Sequence, residues 1–171
     1  LDRVQIVRGA PGWYHPGRSG VIQQGPQNVL AHFGELHPSA LETLDAAGPM
    51  VAFEVFLDAI PEPKAKPTKS KGALVASELM PLSRDFAFVV DEKVEAEKIL
   101  KAVKGADRQL ITDASVFDVF RGPSIGEGKK SVAVEVSLQP TKATLTDKDL
   151  EALAQKIVGA VAKATGATLR A

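Results

Sequence analysis

Val132, Val134, Val136 and Leu138 alternate without a break against Ala133, Glu135 and Ser137. Successive side chains of an extended backbone point to opposite faces, so this run is a strand with one buried face and one comparatively polar face. It therefore needs a cover on one side only, and the sequence supplies one. Ala96, Ile99, Leu100 and Val103 recur at helical spacing, with Gly105 placed to end that helix. Leu150, Leu153, Ala154, Ile157 and Val161 make a second stripe, opened by Thr146-Asp147-Lys148-Asp149 in the manner of a capping box and closed before Gly166. Phe86, Phe88 and Val90 alternate with Ala87 and Val89, which predicts a strand apolar on both faces. Residues 111–121 read as another strand, residues 123–130 as a hairpin loop carrying Gly126 and Gly128, and residues 167–170 as a last short strand.

The order is βαββαβ, the α+β ferredoxin-like sandwich in which two helices cover one face of a four-stranded sheet. Phe88, Ile99, Val134, Leu153 and Ile157 are expected in its single core. The other sheet face stays open, and open faces of this topology can stack and hydrogen-bond single-stranded bases.

Upstream the texture changes. Between residues 61 and 77, Pro61, Pro63 and Pro67 are interspersed with Lys64, Lys66, Lys69 and Lys71. Proline removes backbone donors and like charges resist compaction, so an extended, exposed linker is predicted. Before it, β-rich runs at residues 4–7, 21–24, 29–33 and 51–57 are punctuated by glycine and proline, with a turn at Gly25-Pro26 and a short helix over 38–44 opening near Ser39. This antiparallel piece has few residues with which to close a core. It is expected to be the edge of a larger sheet or to dock on a partner. The predicted division is 1–60, a linker over 61–77, and 78–171; the start at Leu1, in what reads as mid-strand, is expected of a piece excised from a longer protein.

Composition narrows the function classes. Lysine plus arginine equals aspartate plus glutamate at 21 each, so no global positive field draws nucleic acid indiscriminately, and any RNA must be held by a local surface. Cysteine is absent, which removes disulfides, thiolate metal sites and cysteine nucleophiles and suits a reducing cytoplasm. No apolar run approaches the ~20 residues that span a bilayer. His15, His32 and His37 lack metal-ligand spacing, and no metal site is expected. Ser19 near His15 has no nucleophile elbow, the glycines of residues 122–128 lack the Walker pattern, and Asp113 and Asp118 are explained by solvation or hydrogen bonding, so no catalytic residue is expected.

Several strings go beyond topology: residues 84–90 (Arg-Asp-Phe-Ala-Phe-Val-Val), 117–120 (Phe-Asp-Val-Phe), 128–131 (Gly-Lys-Lys-Ser), 144–147 (Thr-Leu-Thr-Asp) and the closing Leu169-Arg170. As an ordered set they resemble the ferredoxin-fold anticodon-binding domain at the C-terminus of bacterial phenylalanyl-tRNA synthetase beta subunits. Residues 13–19 (Trp-Tyr-His-Pro-Gly-Arg-Ser) and 33–38 (Phe-Gly-Glu-Leu-His-Pro) resemble the end of the catalytic-like domain that precedes it in that family. The resemblance implies a class II synthetase-like but non-catalytic first module, tRNA(Phe) and the synthetase alpha subunit as partners in an alpha-2 beta-2 enzyme, and a cytoplasmic location. Neither membrane nor DNA is expected as a partner. It implies no cofactor in this fragment, with ATP and magnesium used by the complete enzyme. A ferredoxin-like module serving only protein interaction or regulation is the alternative.

If Phe117 and Val119 point toward the helices, Asp118 and Phe120 point to the open face, which period two shares with Ser131, Ala133 and Glu135. Phe120 is then the candidate stacking platform, Asp118, Ser131 and Glu135 the readers of base edges, and Arg84, Lys129, Lys130 and Arg170 the neutralisers of phosphate. Each also has a structural reading, in which Phe120 covers the sheet and Arg84 pairs with Asp118 or Asp85.

Overall fold

The computed structural model describes residues 4–62, 73 and 76–170; most of the expected linker, residues 63–72 and 74–75, lies outside them. The chain divides into two units, Leu1–Lys71 and Gly72–Ala171.

The first unit is an antiparallel sheet of β1 (Val4–Val7), β2 (Tyr14–Gln24), β3 (Asn28–Leu36) and β4 (Val51–Val55), in that order, with α1 (Pro38–Thr43) between the last two strands. β2 is longer than the expected run because it continues back through Pro16. The ladder passes from Tyr14 opposite Leu36 to Ser19 opposite Gly34, so Pro16 falls in a bulge where its missing donor leaves no partner unpaired. Gly34, at φ +146°, lets the two backbones meet there: a β-carbon on it would sit 2.5 Å from the Ser19 Cα. The helix is opened by Pro38 at its start and by the His37 side chain, which accepts from the Ser39 N–H at 3.2 Å. Tyr14 is buried, and its hydroxyl donates to Glu54 at 3.1 Å; burial first, then that carboxylate, pushes its phenol pKa up. On β4, Val51 and Phe53 remain exposed, an apolar surface of the kind expected of a docking edge.

The second unit runs β5 (Leu82–Asp91), α2 (Ala96–Ala106), β6 (Ile111–Phe120), β7 (Lys129–Leu138), α3 (Asp147–Thr165) and β8 (Thr168–Leu169). Its sheet has the order β6-β7-β5-β8, antiparallel throughout. Phe88, Ile99, Val134, Leu153 and Ile157 share one core, as the two stripes and the alternating strand require. One boundary differs from expectation: α2 runs past Gly105 to Ala106, because the Asp107 carboxylate accepts from the Gln109 and Leu110 N–H groups and turns the chain there instead. Among the described residues no helix is long and apolar enough to cross a membrane.

α3 opens with a complete capping box. Thr146 Oγ1 accepts from the Asp149 N–H at 3.3 Å, while the Asp149 carboxylate accepts from the Thr146 N–H at 2.9 Å and hydroxyl at 2.7 Å. The backbone bond, then the hydroxyl bond, holds the Asp149 carboxyl below the usual carboxylate range. A depressed carboxyl stabilises the fold above its unfolded pKa and loses that contribution as pH falls through its folded one. The thermal midpoint of Asp149→Ala is therefore expected to lie furthest below that of the wild type at about pH 7 and to converge on it towards about pH 2. A gap independent of pH would show that the charge is not what the cap uses.

Candidate nucleic-acid interface

Val132, Val134 and Val136 are buried under the helices, so Ser131, Ala133 and Glu135 between them face the other way. Strand register carries each of these across the sheet in a row: Val89-Ser131-Phe120, Ala87-Ala133-Asp118 and Asp85-Glu135-Ser115. Small side chains therefore pave the middle. Beyond β8, the Arg170 N–H donates to the Ala87 carbonyl at 2.7 Å, and its guanidinium carbon lies 5.5 Å from the centroid of the Phe120 ring. Arg170 leaves one edge strand and Phe120 stands on the other; larger residues at 87 and 133 would block that reach. Phe120 is still 41% exposed.

Charge is divided along the strands. Asp85 and Glu135 stand opposite each other at one end, Asp118 lies in the middle row, and Arg170 and the exposed Lys129 belong to the other end. Like charges directly opposite are unfavourable, so the acidic end repels phosphate while its oxygens remain open acceptors.

Six of the eight expected residues, Asp118, Phe120, Lys129, Ser131, Glu135 and Arg170, belong to this face or its rim, and two do not. Arg84 lies opposite Val136 and shares the helix side with Phe86 and Phe88; it lines a cleft of about 430 Å³ with Asp147, Leu150 and Glu151. It pairs with neither Asp118 nor Asp85. Lys130, at 8% exposure, shares the helix side with Val132, and its Nζ donates to the Glu92 carbonyl at 2.9 Å. It is a structural lysine. Ser131, at 3% exposure, belongs to the floor beside Phe120 rather than to the reading edge. The expected inward Phe117 is also corrected: it is 58% exposed. The ladder slips between Val116 opposite Val134 and Asp118 opposite Ala133, so Phe117 is the extra residue of a bulge. Val119 stands opposite Val132, as expected.

Ala87 and Val89 line this face and were not among the expected residues. The signal for the first was the small residue between Phe86 and Phe88. Other candidates resolve into structure: the carboxyl of Asp113 is lowered chiefly by the hydrogen bond from Lys104 at 2.8 Å, His15 stacks on His37, and His32 meets Phe56 edge-on. Among the described residues no group of three or more His, Asp or Glu converges as metal ligands.

Residues 77–170 match the ferredoxin-fold anticodon binding domain. The chain belongs to that family. Residues 1–57 match the phenylalanyl tRNA synthetase beta chain CLM domain. Among curated relatives, phenylalanine-tRNA ligase beta subunits from Mesorhizobium japonicum, Bradyrhizobium diazoefficiens and Brucella abortus are 56%, 55% and 58% identical over 99%, 100% and 99% of this chain. The chain spans 21% of the length of each. The expected family is thus found, and nothing in these likenesses supports the alternative of a ferredoxin-like module confined to protein interaction. The anticodon-binding fold keeps one sheet face clear of helices, and it is on that face that Phe120 and Arg170 meet.

Proposed function

We propose that this chain is a C-terminal part of a phenylalanine-tRNA ligase beta subunit and that residues 78–171 hold the anticodon of tRNA(Phe). Residues 1–60 are then the end of a non-catalytic synthetase-like domain that packs against the alpha subunit, and residues 61–77 the linker. The observation that carries this reading is the exposed Phe120 ring with the Arg170 guanidinium beside it, over a floor of Ala87, Val89, Ser131 and Ala133. An aromatic face stacks any base, carboxylates such as Asp118 and Glu135 accept from base-edge donors, and Arg170 and Lys129 neutralise phosphate.

This piece does no chemistry in that reading. It anchors tRNA for the ATP-dependent attachment of phenylalanine by a cytoplasmic alpha-2 beta-2 enzyme. In that reading ATP and magnesium are used by other parts of the complete enzyme.

Footprinting tRNA(Phe) with the complete enzyme, with and without residues 81–171, tests the reading. Protection of the anticodon loop is expected to disappear with those residues; protection that survives their removal sinks it. The two lysines supply a finer check. Lys129→Ala is expected to flatten the salt dependence of stem-loop binding by about 0.7 in the log-log slope, one contact to a single strand. Lys130→Ala is expected to leave the slope alone and lower the thermal midpoint, since the part-buried Glu92 carbonyl loses the bond from its charged donor, worth about 1.5–3 kcal/mol. Equal slopes for Lys129→Ala and wild type would remove Lys129 from the surface.

A further inference from the structure

Gly122 follows Phe120 by two residues on extended backbone, φ −178° and ψ 168°, a conformation open to any residue. Space, not conformation, calls for glycine here. A β-carbon at 122 would lie 2.7 Å from Cζ and 3.0 Å from Cε1 of Phe120, well inside the roughly 3.5–4.0 Å at which carbons rest against each other. The outer edge of the ring therefore lies back over a bare Cα. We propose that Gly122 is a positioning residue for the interface: the side chain it lacks sets the tilt of the Phe120 ring, and with it the face presented to a base. The inference rests on the anticodon-binding reading.

The comparison with Gly34 sharpens it. A β-carbon at 34 would strike the backbone of Ser19 and Arg18, which cannot yield without opening the sheet. A β-carbon at 122 strikes only the far end of the side chain of Phe120, a residue that is 41% exposed. The ring swings aside, the fold stays, and the register of the ring with Arg170, 5.5 Å away, is lost.

The test is a double-mutant cycle, read by titrating the 171-residue chain with the anticodon stem-loop of tRNA(Phe). Phe120→Ala is expected to bind about ten- to a hundredfold more weakly, and Gly122→Ala at least about threefold more weakly, with an unchanged thermal midpoint. The double variant is expected to bind no more weakly than Phe120→Ala alone, because a methyl group cannot displace a ring that is gone. Additive losses, or wild-type binding by Gly122→Ala beside a weakened Phe120→Ala, would overturn the proposal and leave the anticodon reading standing. Undiminished binding by Phe120→Ala would overturn both. In the wild-type chain, nuclear Overhauser contacts between the Phe120 ring and the Gly122 α-protons are expected; their absence, or collapse of the fold in Gly122→Ala, would also refute it.

Discussion

Phe120→Ala is expected to weaken binding of the tRNA(Phe) anticodon stem-loop by about ten- to a hundredfold while leaving the thermal midpoint of the chain nearly unchanged. The size follows from stacking a base on an aromatic ring, about 1–3 kcal/mol, at 1.4 kcal/mol for each tenfold in affinity. The near-constant midpoint follows from position. Phe120 ends β6 with 41% of its surface in solvent, and the core lies on the opposite face of the sheet. A purely structural role would rest on the contact with Arg170, and an exposed cation–π pair contributes about 0.5–1 kcal/mol. That is too little to account for a tenfold or greater loss of RNA binding. Phe120→Trp keeps a π-face and is expected to retain most of the affinity. Stem-loop titration together with thermal unfolding separates the cases: a lowered midpoint with unchanged affinity would make Phe120 a cover for the sheet and nothing more.

How far such a surface can be read beforehand depends on how regular the strands are. β7 was legible to the residue, because Val132, Val134, Val136 and Leu138 keep step with the pleat and no bulge interrupts the strand on its β5 side. The helices were legible because their stripes and the Thr146–Asp149 box state both face and start; only the end of α2 was misplaced, where the Asp107 turn outcompetes glycine. β6 was not legible. Val116, Phe117, Val119 and Phe120 offer an apolar residue to either face, and one inserted residue reverses the facing of what precedes it. Phe117 was lost to that ambiguity. Arg84 and Lys130 were lost to something simpler. The period-two count that puts Phe86 and Val132 in the core puts these neighbours on the same side, and only their charge suggested otherwise. Period two already put Ser131 and Ala133 of the floor on the open face; Gly122 could not be recovered that way, since its part is the space it leaves open. In the first unit, Pro16 concealed the start of β2, because a proline inside a strand is tolerated only at a bulge that the sequence does not announce.

Phe88→Ala is expected to do the reverse of Phe120→Ala, destabilising the second unit by about 3–5 kcal/mol while leaving the affinity of the folded fraction close to that of the wild type. Phe88 is fully buried on β5, between Val132 of β7 and Leu169 of β8 in the ladder, and its ring lies nearly parallel to Phe86 with centroids 6.0 Å apart. Alanine leaves a cavity against the helices that neighbours on a four-stranded sheet cannot fill without moving the ladder. Against a total of about 5–15 kcal/mol for a domain, such a loss is a large share, and the midpoint is expected to drop by at least about 12 °C. Ala87 and Val89 flank Phe88 but point to the open face, so at a temperature where the variant remains folded the floor under Arg170 and Phe120 persists. Thermal unfolding and stem-loop titration of the same sample read the two effects separately. An unchanged midpoint would mean that β5 does not carry the core. A large loss of affinity in the folded fraction would mean that the two faces of β5 are coupled, and that the interface depends on core packing rather than on the side chains that line it.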